Sequence, residues 1–181
     1  MSPSEASIAA LSLGLGLVGQ PPAEQVCRPF AESVSLCLTL RAEEPRALVR
    51  ADLATLGLSE EQAFAKATAA ARASLGPTRP EQAAIADMSA GYWLSAEGYG
   101  LDHAPMLFPD QVKARVGDQA RVAVPTPGVW LAWTAGSDEL DRVMAVAVAR
   151  MVEADAQAIT AKVFTWDEQS GAWQVWGQAR R

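Results

Sequence analysis

Residues 121–134, RVAVPTPGVWLAWT, and residues 138–152, DELDRVMAVAVARMV, decide the fold class of this chain. In the first stretch two apolar runs, Arg121–Pro125 and Val129–Thr134, flank Thr126-Pro127-Gly128, a connection short enough for a hairpin. The second run is apolar on both faces, with Val129, Leu131 and Trp133 opposed to Trp130 and Ala132. Such a strand lies centrally in a sheet and is covered on both sides. Ser137-Asp138-Glu139 then supplies an N-cap and two acids at the positive end of a helix dipole. Leu140, Val143, Met144, Ala147, Val148, Met151 and Val152 follow at steps of three and four. That spacing predicts a helix over about 138–156 whose apolar stripe, Val143 included, is buried on a sheet.

The chain closes with a second hairpin whose register can be chosen by trial. Setting Trp166 opposite Trp173 puts Phe164 opposite Val175, so one face collects four large apolar side chains. A slip of one residue scatters them, because it sends every side chain to the other face. In the favoured register Val163, Thr165, Gln174 and Trp176 lie on the reverse face.

Working upstream, Ser59-Glu60-Glu61-Gln62 has the form of a capping box. It opens a helix over about 59–75 with Phe64, Ala67, Ala71 and Leu75 on one stripe, stopped by Gly76-Pro77. Leu48–Leu56 reads as a short helix closed by Gly57. Ser33–Leu40 alternates as a strand, Val34, Leu36, Leu38 and Leu40 on one side and Ser33, Ser35, Cys37 and Thr39 on the other. Arg41–Arg46 reads as a charged turn, Thr78–Ala90 stays ambiguous, Tyr92–Ser95 is a strand, and 106–108 is a short strand between prolines. Residues 1–31 read as a helical lead-in, opened by Ser2-Pro3-Ser4-Glu5 and broken at Gln20-Pro21-Pro22. The expectation is one α+β domain over 1–181, a mixed or antiparallel sheet packed by helices 59–75 and 138–156, with an N-terminal helical segment.

The segment 48–61, LVRADLATLGLSEE, resembles the valine-basic-x-aspartate-leucine to leucine-glycine-leucine-serine segment that precedes an alanine-rich helix in the YtpQ-like family of uncharacterised bacterial proteins. The hairpin Val122-Ala123-Val124-Pro125 to Val129-Trp130-Leu131-Ala132 is similar to that family's later valine-proline strand pair. The resemblance covers residues 48–176. It departs from the family where Ala73-Ser74-Leu75 stands in place of an asparagine-leucine pair. It implies an α+β architecture and carries no catalytic residue across.

Composition narrows the function by exclusion. The net charge is −6, and the 15 Lys and Arg residues are scattered. Phosphate backbones and anionic membranes are held by clustered cations, so neither nucleic acid nor a membrane is the expected partner. A basic protein partner suits the acidic surface. The N-terminus has no basic n-region, and the apolar stretch 8–18 is too short to span a bilayer, so a cytoplasmic protein with reduced Cys27 and Cys37 is expected. Arg outnumbers Lys twelve to three, which fits a GC-rich bacterial genome.

His103 is the single histidine, which argues against a zinc site, and no segment has the alternating oxygen ligands of a calcium loop. Gly14-Leu15-Gly16-Leu17-Val18-Gly19 has the spacing of a dinucleotide fingerprint but lacks the strand-to-helix context that gives the fingerprint its chemistry. No cofactor is expected. Asp102, His103 and either cysteine are the residues from which a hydrolase could be built. The six tryptophans carry a sharper suggestion, since five of them, Trp130, Trp133, Trp166, Trp173 and Trp176, fall in the last third. Most fill a core. Trp176, on the mixed face of the last hairpin, is the candidate anchor for a protein partner. The leading expectation is a non-catalytic binding protein of adaptor, chaperone or immunity type.

Overall fold

Leucine and glycine alternate through residues 12–18, and the chain there is a strand. β1 (Ser12–Val18) overturns the helix expected across 1–31, as does β2 (Cys27–Ala31). The period is two: Leu13, Leu15 and Leu17 are buried, with Gly14 and Gly16 between them, a repeat that makes one face of a strand and no face of a helix. The computed structural model describes residues 12–41, 46–74, 92–95, 104–127, 129–136 and 138–177. The lead-in before residue 12, the turn at 42–45, Leu75, the Thr78–Ala90 stretch, and Asp102 and His103 lie outside them.

β3 (Val34–Arg41) is the strand expected from its alternation. It pairs antiparallel with β1, setting Leu13, Leu15 and Leu17 opposite Leu40, Leu38 and Leu36. Its other neighbour is β2, reached through Glu32 and Ser33, the latter at φ 64°. A two-residue β4 (Arg46–Ala47) completes this sheet against β3. Cys27 and Cys37 sit directly opposite in the β2–β3 ladder, Cα atoms 4.1 Å apart, and are joined as a disulfide. The expectation of two free thiols is therefore corrected. It rested on an expected cytosolic setting, and the helical reading of residues 1–31 gave Cys27 no strand neighbour; the strand found at Cys27–Ala31 sets it opposite Cys37.

A second sheet holds β5 (Tyr92–Ser95), β6 (Ala120–Thr126), β7 (Val129–Thr134), β8 (Val163–Asp167) and β9 (Ala172–Val175). Its order is β5-β7-β6-β8-β9 and every pairing is antiparallel. The single sheet expected from the sequence is thus two antiparallel sheets. β7 is an interior strand, between β5 and β6, as its two apolar faces lead one to expect. The closing hairpin has the expected register, Trp166 opposite Trp173 and Phe164 opposite Val175.

Among the described residues, four helices cover these sheets. α1 (Arg50–Leu56) ends on Gly57, whose φ of 63° lets the next amide, that of Leu58, turn back to the Leu53 carbonyl at 3.1 Å. The Val49 amide at its start donates to Asp52, which also takes a two-pronged bond from Arg46 at 2.7 Å. α2 (Glu60–Ser74) opens on the expected capping box: the Ser59 amide donates to Gln62 Oε1 at 2.9 Å and the Gln62 amide to Ser59 Oγ at 3.2 Å. Residues 104–107 form a 3-10 turn where a strand was expected, followed by α3 (Pro109–Val116). A three-residue apolar run has too few positions for periodicity to separate the two, and Pro109 at the first helical position sets the turn's direction. α4 is Asp138–Ala154.

The main core gathers the leucine face of the first sheet, Phe64, Ala67 and Ala71 of α2, Val112 and Val116 of α3, and Val122, Trp130, Phe164 and Trp173 of the second sheet. A smaller core lies between α4 and the other face of that sheet, from Ala123, Leu131, Trp133, Met144, Val148 and Val163. The segment after α4 ties the halves together. Ile159 donates its amide to the Pro125 carbonyl at 2.7 Å, and its own carbonyl lies 2.6 Å from where a side chain at Gly19 would begin. Lys162 Nζ reaches Glu32 Oε1 at 2.5 Å and Ser33 Oγ at 3.0 Å at the β2–β3 turn.

Candidate binding surface

The closing hairpin turns through 168–171, where the Gly171 amide bonds the Asp167 carbonyl at 2.9 Å and Ser170 Oγ donates to Asp167 Oδ2 at 2.8 Å. This tight turn holds the register, and the register sorts the aromatic side chains. Trp173 goes inward: it is buried, its indole N–H donates to the Met106 carbonyl at 2.8 Å, and Trp166 meets it edge-on at 5.4 Å between ring centres. Burial with the polar tip satisfied is the ordinary structural use of tryptophan.

Trp176 goes the other way. Its amide donates to the Val163 carbonyl at 2.8 Å, which extends the β8–β9 pairing by one bond. The side chain is 36% exposed. Beneath it, on the same face of the sheet, Arg121 of β6 stands opposite Thr165 of β8, which stands opposite Gln174 of β9. Arg121 Nη1 donates to Thr165 Oγ1 at 3.0 Å, and its guanidinium lies 5.2 Å from the centre of the Trp176 ring. The Arg121 Nε–H is buried and makes no hydrogen bond. A guanidinium over an indole is attracted by the ring's quadrupole, so Arg121 and Trp176 hold each other in place. Gln174 is exposed and bonds Ser170 Oγ at 3.3 Å.

α4 covers the remainder of this face, and its rotation differs from the expected one. Met144 and Val148 are buried, Leu140, Met151 and Val152 are half-buried, and Val143 is 49% exposed, as is Val146. The reason is Trp133. Its indole N–H points from β7 into the helix layer, and Asp141 Oδ1 accepts it at 2.7 Å in a buried bond. A buried N–H needs an acceptor, and with Asp141 in the inward place that supplies it, Val143 lies on the outward side of the helix. This leaves an open groove of about 630 Å³ along α4, lined by Arg142, Val143, Val146, Ala147, Arg150, Met151 and Ala154. The sequence pattern does not disclose it, because a stripe drawn from apolar residues alone gives Asp141 no inward role.

Of the residues considered for catalysis, Cys27 and Cys37 are bonded to each other and neither is a thiolate nucleophile in that state. Among the described residues no group of three His, Cys, Asp or Glu side chains is placed to hold a metal ion. No helix among them is long and apolar enough to cross a membrane. The Gly14–Gly19 stretch runs along an antiparallel strand, without the βαβ setting that a phosphate-binding turn needs. No family model matches the chain, and neither a curated protein nor a solved structure matches it.

Proposed function

We propose that this chain is a non-catalytic binding protein that recognises another protein through the outer face of its closing hairpin, with Trp176 as the anchor. The observation that carries the reading is a partly exposed tryptophan already stacked by Arg121, beside the exposed Gln174. A side chain fixed before contact loses little freedom on binding, and tryptophan is enriched among the residues that dominate binding energy. The net charge of −6 favours a basic partner. The resemblance to the YtpQ-like family belongs to the same proposal. What supports it is that a short helix and an alanine-rich helix precede, with β5 and α3 intervening, a hairpin, a helix and a closing hairpin over residues 48–176.

The expectation of reduced thiols rested on the expected cytosolic setting. A Cys27–Cys37 bridge supports an oxidising one, and thiol labelling in intact cells of the native host separates the two. Affinity capture from that host, with mass spectrometry, names the partner. Trp176→Ala should then weaken its affinity by about 2 kcal/mol, roughly thirtyfold, while circular dichroism shows an unchanged fold. Equal affinity for the variant would take Trp176 out of the interface and with it this reading.

A further inference from the structure

The outward flank of α4 has its own pattern. Glu139, Val143, Val146 and Arg150 fall at steps of four, three and four, the spacing of one seam of a coiled coil. All four are exposed, the two valines at 49% each. Within this seam the charges stand at the ends and the apolar residues in the middle, acid at the start and base at the finish. Two such helices laid side by side in the same direction would set Glu139 against Glu139 and Arg150 against Arg150. Laid in opposite directions about a two-fold axis between Val143 and Val146, they set each Glu139 against the other copy's Arg150 and each Val143 against the other copy's Val146. A two-fold contact is self-complementary in this way by construction. Ala147 beside the seam is small enough to let the helices approach closely.

We propose that this face binds a second copy of the same chain, through antiparallel pairing of the two α4 helices. The reading does not depend on Trp176, which lies on the closing hairpin. The contact is short, two Val143–Val146 contacts and two ion pairs for each helix pair, so the dimer is weak and depends on concentration.

The test is a charge swap read by sedimentation equilibrium on the full chain. The native protein should show a monomer–dimer equilibrium. In a dimer of the Glu139→Arg variant two guanidinium groups face each other at each end of the seam. In a dimer of the Arg150→Glu variant two carboxylates do. Each variant alone should raise the dimer dissociation constant at least about tenfold, since like charges facing across a contact are strongly disfavoured. In an equimolar mixture, a mixed pair of one E139R chain and one R150E chain has opposite charges facing at both ends, and dimerisation should recover. Both positions are exposed, and far-ultraviolet circular dichroism confirms that each variant is folded. A native chain that stays monomeric throughout overturns the proposal. So does a dimer that either single variant leaves intact, or a mixture that fails to recover.

Discussion

α2 and α4 each lie on a β-sheet, and they finish the job differently. α2 gives the first sheet Ala63, Phe64, Ala67 and Ala71, all buried, and no larger apolar side chain than alanine remains on its exposed positions. α4 buries only Met144, Val148 and the carboxylate of Asp141, and leaves Val143 and Val146 half in water. The second helix is the more apolar of the two and the less fully used. Amphipathicity alone does not therefore distinguish a cover from a contact surface. What distinguishes them is whether the apolar residues outnumber the places beneath.

The contrast can be strained at several points. Phe64→Ala should do the greatest damage, about 3–5 kcal/mol by urea titration, because it empties a core site and removes the ring over which Arg28 sits at 4.5 Å. A loss under about 1 kcal/mol would mean that α2 is as loosely seated as the flank of α4. Val148→Ala, on the buried side of α4, should cost about 2 kcal/mol, from two lost methyl groups and the cavity they leave. Ser59→Ala removes half of the capping box that starts α2 and should cost about 1 kcal/mol.

The start of α1 offers a charged counterpart to that neutral cap. The Arg46 bond holds the Asp52 carboxyl below its ordinary value against the opposing effect of burial, helped by the Val49 amide and the Arg46 charge. A lowered carboxylate pKa contributes stability above the unfolded value, near pH 4, and loses it as pH falls through the folded value. Asp52→Asn should therefore lower stability at pH 7 by less than about 1 kcal/mol, Arg46 being 53% exposed, and have less effect near pH 2. Denaturant midpoints at the two pH values check this. The smallest effect belongs to Val146→Ala, within about 0.5 kcal/mol in dilute solution. A large loss there would place Val146 in a core and erase the contrast.

The second sheet is legible in the sequence because its residues leave little choice. The Trp166–Trp173 register, the interior β7 and both halves of the capping box at Ser59 each follow from local spacing alone. The first sheet is less so. A Pro3 and a Glu5 placed for capping suggest a helix, and beside them the period of two in Leu13, Leu15 and Leu17 passes for that helix weakening at its glycines. The Cys27–Cys37 bond depends on two strands meeting, which no window around either cysteine reveals. At the candidate site Trp176 comes from register, so its outward direction can be read. Arg121 cannot, since it reaches Trp176 across two strand pairings. Val143 is misplaced by periodicity because Asp141 answers a tryptophan eight residues earlier in the chain.

The bonds at Ile159 and Lys162 set a schedule for the chain as it is made. β1 and β3 can pair as soon as residue 41 is available, but Gly19 waits for Ile159, the β2–β3 turn waits for Lys162, and the main core waits for Phe164 and Trp173. Contacts this far apart in sequence close last and slow folding. During synthesis at about 5–20 residues per second, α2 can meet the first sheet early, but the part of the main core that Phe164 and Trp173 complete stands open for several seconds. A chain ending before residue 159 would leave that part of the core unfilled, so truncation should release an aggregating species in place of a smaller folded one.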